Sequence, residues 1–242
     1  MPLSGRRTIT SVVRTTSHAA ADLLWPPRCA GCELPGELLC DACRGALHRI
    51  DPSEACPRCG APDGARGCAE CGGREFAFQS ARCVGVFEPP LSRLVTVHKD
   101  AGELRLTDVL AELATEAAAD WLDWAQAAVA VPASPAAVRR RGFDHGALLG
   151  AAFAAASGVP AVDVLRARSR RDQRGLGAAD RARNARAAIT ALPRVIVPAR
   201  VLVIDDVFTT GATLDAAASA LLGAGAGEVR VLAIARASGG RL

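Results

Sequence analysis

Residues 201–206, "VLVIDD", place four apolar side chains in an unbroken run before two carboxylates. Apolar residues at consecutive positions bury both faces of a strand, as in the centre of a parallel sheet. The pattern predicts a strand from Val201 to Ile204 with Asp205 and Asp206 emerging at its carboxyl tip. "AAVAV" at 127–131, ended by Pro132 and Pro135, "AVDVL" at 161–165 and "EVRVLAIARA" at 228–237 predict further strands, and "ARCVGVF" at 81–87 a buried one in which Cys83 acts as a small hydrophobe.

Between these runs the period changes. Residues 91–125 read as a short helix, a break at Gly102 and a long amphipathic helix with Leu106, Val109, Leu110 and Leu113 inward, Trp121 and Trp124 packing at the core edge. "DHGALLGAAFAAASG" is an Ala-rich helix stopped by Gly158, and another helix runs from about Ala212 to Leu222, ending at the glycines of "GAGAG". Strands alternating with helices predict an α/β fold: a parallel sheet flanked by helices, with ligands bound outside the carboxyl ends of its strands.

The first 27 residues contain Val12, Val13, Ala19, Ala20, Leu23 and Leu24 on one side of a predicted amphipathic docking helix. Arg14 and His18 interrupt any signal-peptide core, and no uncharged run is long enough for a membrane span, so a cytoplasmic protein is expected.

Eight of the nine cysteines form four Cys-x-x-Cys pairs: Cys29/Cys32, Cys40/Cys43, Cys56/Cys59 and Cys68/Cys71. Two thiolates at this spacing fit one tight turn, and two turns complete a tetrahedral zinc shell. Two structural zinc ions are expected, paired first with second and third with fourth, with a cross-braced arrangement as the alternative. Gly60, Gly72 and Gly73 follow the pairs and suit left-handed turns that aim N–H groups at sulfur. The stretch holds few large apolar residues, so metal must supply its folding energy. Three segments are expected: the helix at 1–27, a double zinc-ribbon module at 28–75 and the α/β domain at 76–242.

The net charge of +4 is uneven, because residues 137–186 carry 11 Arg against 4 Asp. A polyanion such as single-stranded DNA would meet the chain there. Aromatic residues make up only 4% and tyrosine is absent, so base stacking is poorly provided for.

In "VLVIDDVFTTGAT" the acids are followed by a helix N-terminus, where free N–H groups and the helix dipole favour a phosphate. Thr209, Thr210 and Thr213 add hydroxyl donors, Gly211 allows close backbone approach, and no lysine follows as in nucleoside-triphosphate loops. The acids can accept hydrogen bonds from vicinal hydroxyls, directly or through Mg²⁺, so a sugar monophosphate fits. A phosphorelay receiver, whose acids lie near the start of a domain of roughly 120 residues, does not.

This run resembles the phosphoribosyl diphosphate (PRPP) signature of type I phosphoribosyltransferases. With the cysteine pairs, "VPASPAAVRRRGFDHGALLG" and "SRRDQRGLGAADRARNARAA", nearly the whole chain is similar to the ComF/GntX family. The resemblance implies that Asp205 and Asp206 hold the ribose as the catalytic pair, and that Thr209, Thr210, Gly211, Ala212 and Thr213 hold its 5′-phosphate. It further implies that Lys99, Arg139, Arg140 and Arg141 meet the diphosphate with Mg²⁺, and that Gln173, Arg181 and Asn184 belong to a closing loop. Asp144-His145 stands where the family usually has Asn-Gln, and Lys99-Asp100-Ala101-Gly102 lacks the family's aromatic. The implied activity is phosphoribosyl transfer to an acceptor that the sequence does not name. The alternative is a non-catalytic protein handling single-stranded DNA in natural competence.

Overall fold

The computed structural model describes residues 26–167 and 188–237. The N-terminal helix expected before residue 26, together with Gln173, Arg181 and Asn184, lies outside these residues.

Four parallel strands, β1 (Ser80–Val86), β2 (Ala127–Ala130), β5 (Arg200–Phe208) and β6 (Glu228–Arg236), form one sheet in the order β1-β6-β5-β2. The α/β architecture is the one the alternating pattern requires. The helices are α1 (Asp41–Gly45), α2 (Leu91–Lys99), α3 (Leu106–Ala117), α4 (Pro135–Arg141), α5 (His145–Ser157) and α6 (Ala212–Gly223). Along β5, Val201 and Val203 enter a core shared with α6, whereas Leu202 and Ile204 enter a second core shared with α2, α3 and α5. All four are at most 1% exposed. Residues 201–204 are therefore all apolar because neither face of the strand meets solvent there.

Two strands differ from expectation. β5 does not end at Ile204 but continues through both acids to Phe208, because β6 keeps pairing with it as far as Phe208↔Arg236. Its other neighbour stops earlier, at Ala130↔Ile204, so Asp205 and Asp206 lie past the end of β2, on opposite faces of a strand that itself goes on. The run at 161–165 is not a sheet strand. The chain brackets Ala128 with two hydrogen bonds, Ala128 N–H to Pro160 O and Val162 N–H to Ala128 O, then turns away at the exposed Asp163. It resumes as β3 (Leu165–Ala167), paired antiparallel with β4 (Ile189–Ala191).

The cysteine-rich segment straddles β1. Ala30, Leu39 and Leu47 join the core of α2, α3 and α5, while Cys56, Cys59 and Ala61 join that of α6. The stretch between passes along β1: Ile50 N–H donates to Val84 O, Val86 N–H to His48 O and Ala81 N–H to Pro57 O. Gly85 permits this approach, since a Cβ there would lie 2.6 Å from His48 O. On the outer face, Arg82 stacks over Trp121 and Arg230 over Trp124, the core-edge packing expected of both tryptophans.

Candidate functional site and two four-cysteine centres

The eight paired cysteines gather into two clusters, Cys29/Cys32/Cys40/Cys43 and Cys56/Cys59/Cys68/Cys71, and within each the sulfurs lie within 4.8 Å of one another. Four sulfurs about 2.3 Å from one ion in a tetrahedron stand about 3.8 Å apart. The contacts Cys59–Cys68 at 3.5 Å, Cys32–Cys40 at 3.7 Å and Cys56–Cys71 at 4.0 Å match that spacing and are far too long for disulfides. Gly60, Gly72 and Gly73 all adopt positive φ, and Cys40 N–H points at Cys29 Sγ at 3.4 Å. The donor set fits zinc, and the clusters pair the turns in sequence order. Burial and the neighbouring sulfurs push Cys43 up to about 12, whereas at Cys29 burial is outweighed by backbone N–H groups, which bring it down to about 6.

At the carboxyl end of β5 the acids have opposite surroundings. Asp206 is buried, with Lys99 Nζ 2.5 Å and His145 Nε2 3.3 Å from its Oδ2. This buried oxygen therefore faces two cationic or N–H-bearing groups at once. Burial acts to raise the Asp206 carboxyl, yet His145 and the Lys99 charge outweigh it and hold it below the usual range. Asp205 is half-buried, accepts from Asp206 N–H at 2.9 Å, and is held above the usual range by burial and by the charge of Asp206.

The helices place the basic partners. Lys99 closes α2. Arg141 closes α4, turns to Asp100 at 3.0 Å and reaches His145 Nδ1 at 3.5 Å. Arginine only donates, so His145 accepts at Nδ1 and presents Nε2–H toward Asp206. Beneath them His98 is buried. Its Nε2 donates to Thr107 Oγ1 at 2.9 Å, because that hydroxyl already donates to Leu104 O. Burial first, then His145, hold His98 below its usual range. Asp144 caps α5 by accepting from Ala147 N–H at 3.0 Å and also takes Ala133 N–H at 3.2 Å, so its carboxylate is engaged by backbone.

The threonine loop leads into α6. Gly211 has φ +77, and a Cβ there would meet the Phe208 ring at 2.6 Å and Phe76 at 2.9 Å. Only glycine fits both that conformation and that space. Thr209, Thr210 and Thr213 are exposed, Ala212 half-buried. The structure thus brings together Lys99, Arg141, Asp205 and Asp206, with the loop 209–213 on the same strand end. Arg139 and Arg140 stand exposed on α4. A cleft of about 650 Å³ beside β2 is lined in part by Arg139, Asp144 and Arg166 and excludes the acids and the threonine loop. Sequence reasoning missed His98, the contact of His145 with Asp206, and Arg236.

A parallel sheet with an acid pair and a helix-capped loop at its carboxyl edge, joined to two four-cysteine centres, defines the class. Residues 20–80 match the double zinc ribbon domain, and the chain belongs to the ComF family. It is 30% identical over 206 residues to competence protein F of Haemophilus influenzae, covering 81% of this chain and 90% of that protein. Competence protein ComFC of Streptococcus pneumoniae is 27% identical over 202 residues, covering 82% and 87%. The DNA utilization protein YhgH of Salmonella typhi is 29% identical over 225 residues, covering 87% and 97%. Among the described residues no helix is long and apolar enough to cross a membrane.

Proposed function

We propose that this chain handles DNA, as its competence and DNA-utilization relatives are named for, and that its α/β domain grips a 5-phosphorylated ribose. The first part rests on relatives matched over more than four fifths of this chain. Exposed Arg139 and Arg140, on the basic stretch 137–186, supply cations for a DNA backbone. The observation that carries the second part is the acid pair Asp205 and Asp206 at the carboxyl end of β5, immediately before the exposed threonines and the start of α6. Ribose hydroxyls would donate to these carboxylates, while the exposed threonines and the N–H groups entering α6 take the phosphate. Fluorescence anisotropy with single-stranded oligonucleotides should show salt-dependent binding. Calorimetry with PRPP and Mg²⁺ should show binding that Asp205→Asn with Asp206→Asn abolishes. No anisotropy change in low salt refutes the DNA reading, and no heat with PRPP refutes the pocket.

The charge arrangement favours a second reading, phosphoribosyl transfer with PRPP. Lys99, 26% exposed, pairs with Asp206 and would exchange that partner for a diphosphate. The acids would hold the ribose hydroxyls while the bond from C1 to the diphosphate breaks, C1 becomes cationic and an acceptor nitrogen attacks; among the described residues no side chain is placed as a general base. Asp205 fits a magnesium ion better than Asp206, which Lys99 already neutralises; when bound with PRPP, Mg²⁺ would supply charge neutralisation of the leaving diphosphate. Pyrophosphate release that requires an added nucleobase or amine would establish the transfer.

A further inference from the structure

The two zinc ribbons have different neighbours. The first is tied to the helices by Arg44 to Glu112 at 2.9 Å, Arg49 to Glu116 at 2.8 Å and Arg93 to Glu33. The second is tied to the threonine loop. Arg236, 3% exposed, is a charged residue inside the apolar run of β6. Its Nε donates to Cys59 O at 3.0 Å, and its Nη1 donates to Thr209 O at 3.0 Å, to Phe208 O at 3.3 Å and to Ala237 O. Its Nη2 lies 3.7 Å from Glu70 Oε2 and 4.0 Å from Cys59 Sγ. From the tail of the same ribbon, Arg74 donates to Thr210 O at 3.0 Å, and Ala77 N–H donates to Asp215 Oδ1 at 2.7 Å in the first turn of α6. Phe76 packs against Phe208 and closes the space behind Gly211.

Three successive carbonyls, those of Phe208, Thr209 and Thr210, are thus held by two guanidinium groups, one donating to Cys59 O of the second ribbon and one on its tail. In a planar trans peptide the N–H points opposite its carbonyl. The N–H groups of Thr209, Thr210 and Gly211 therefore each point away from the guanidinium that holds the preceding carbonyl, which leaves them available to an anion. Electrostatics favour the same arrangement: four thiolates around a zinc ion would carry a net charge of −2, adding to the Glu70 carboxylate a counter-charge for the buried Arg236.

We infer that zinc in the Cys56/Cys59/Cys68/Cys71 cluster sets the shape of the threonine loop, with Arg236 and Arg74 as positioning residues, whereas the first cluster does not. Linkage is reciprocal: metal in the second ribbon tightens anion binding at the loop, and a bound anion tightens that zinc. The inference rests on the loop's reading as a phosphate site, and the test separates the two.

Amide hydrogen exchange of the ligand-free full chain reads the loop directly. Cys68→Ser with Cys71→Ser should speed exchange across 209–213 at least tenfold while residues 106–117 keep their protection. Cys29→Ser with Cys32→Ser should leave 209–213 unchanged. Arg74 is exposed, so Arg74→Ala tests the same link if the ribbon variant does not fold: it should speed exchange at 210–212 several-fold, and Arg74→Lys should recover part of that protection. Exchange at 209–213 that ignores the second cluster, or responds equally to both, overturns the inference. Calorimetry with ribose 5-phosphate on the same proteins should show about tenfold weaker binding for Arg74→Ala alone among the folded arginine and first-ribbon variants. A native chain that gives no heat refutes the phosphate reading and leaves the exchange result to decide the link.

Discussion

Asn in place of Asp205 is expected to stabilise the ligand-free chain while removing its hold on a ribose. Burial, then the charge of Asp206, hold the Asp205 carboxyl above its usual range. A carboxyl raised in the folded state binds its proton more tightly there than in the unfolded chain. Its contribution is most favourable in acid, below the ordinary carboxylate range near 4, and is lost as pH rises toward the folded value. Near neutral pH the unfolded chain ionises Asp205 freely, while the folded chain must either bury the charge or take up a proton. A tenfold difference in proton affinity is worth about 1.4 kcal/mol. Asp205 is only half-buried, so screening limits the effect, and Asp205→Asn should gain about 1–2 kcal/mol at pH 8.5. For a chain of this size that is about 2–8 °C in Tm. Asp206 runs the other way: its lowered carboxyl contributes stability above the usual range that is lost as pH falls. Asp206→Asn strips Lys99 of its partner and should cost about 1–3 kcal/mol. Scanning calorimetry of zinc-loaded proteins at pH 6 and pH 8.5 checks both. An Asp205→Asn chain that melts lower than native at both pH values, or shows the same gain at both, refutes the argument that the site stores electrostatic strain.

Elemental analysis should find two zinc ions per chain, falling by one with a Cys→Ser change in either cluster. Gly211→Ala forces a Cβ into left-handed backbone against two rings. It should cost about 1–3 kcal/mol in denaturant unfolding and remove ribose 5-phosphate binding by calorimetry. Arg139→Ala with Arg140→Ala removes two exposed cations, so the slope of log affinity for single-stranded DNA against log salt should shrink by about 1.4 in anisotropy titrations.

Where one residue type repeats at a fixed spacing, the chain could be read directly. The cysteine pairs at two-residue spacing, joined in sequence order, and the all-apolar run of β5 each rest on local geometry that sequence displays. The acids and the threonine loop were legible because strand, carboxylates, glycine and helix start follow one another without a gap. What lay hidden depends on neighbours distant in sequence. β5 runs on past Ile204 because β6 stays paired with it, and 161–165 leaves the sheet at a solvated Asp163. His145 meets Asp206 because α5 begins beside β5, 61 positions earlier in the chain. Arg236 did leave a trace, a lone charge within "VLAIARA", since such a residue must find partners wherever the strand is buried on both faces. Its partner ribbon is 177 positions away in sequence.

The passage of residues 48–57 along β1 has a consequence for the chain in a metal-poor environment. Those residues are held in place by the ribbons on either side of them, and they occupy the backbone groups that an outermost strand otherwise offers to any passing chain. Chelation would unfasten that cover and leave a row of unpaired amides on β1, open to strand-to-strand pairing between molecules. Zinc-stripped protein should therefore be lost to aggregation before its sheet melts, and the metal would serve as a solubility factor as much as a folding one.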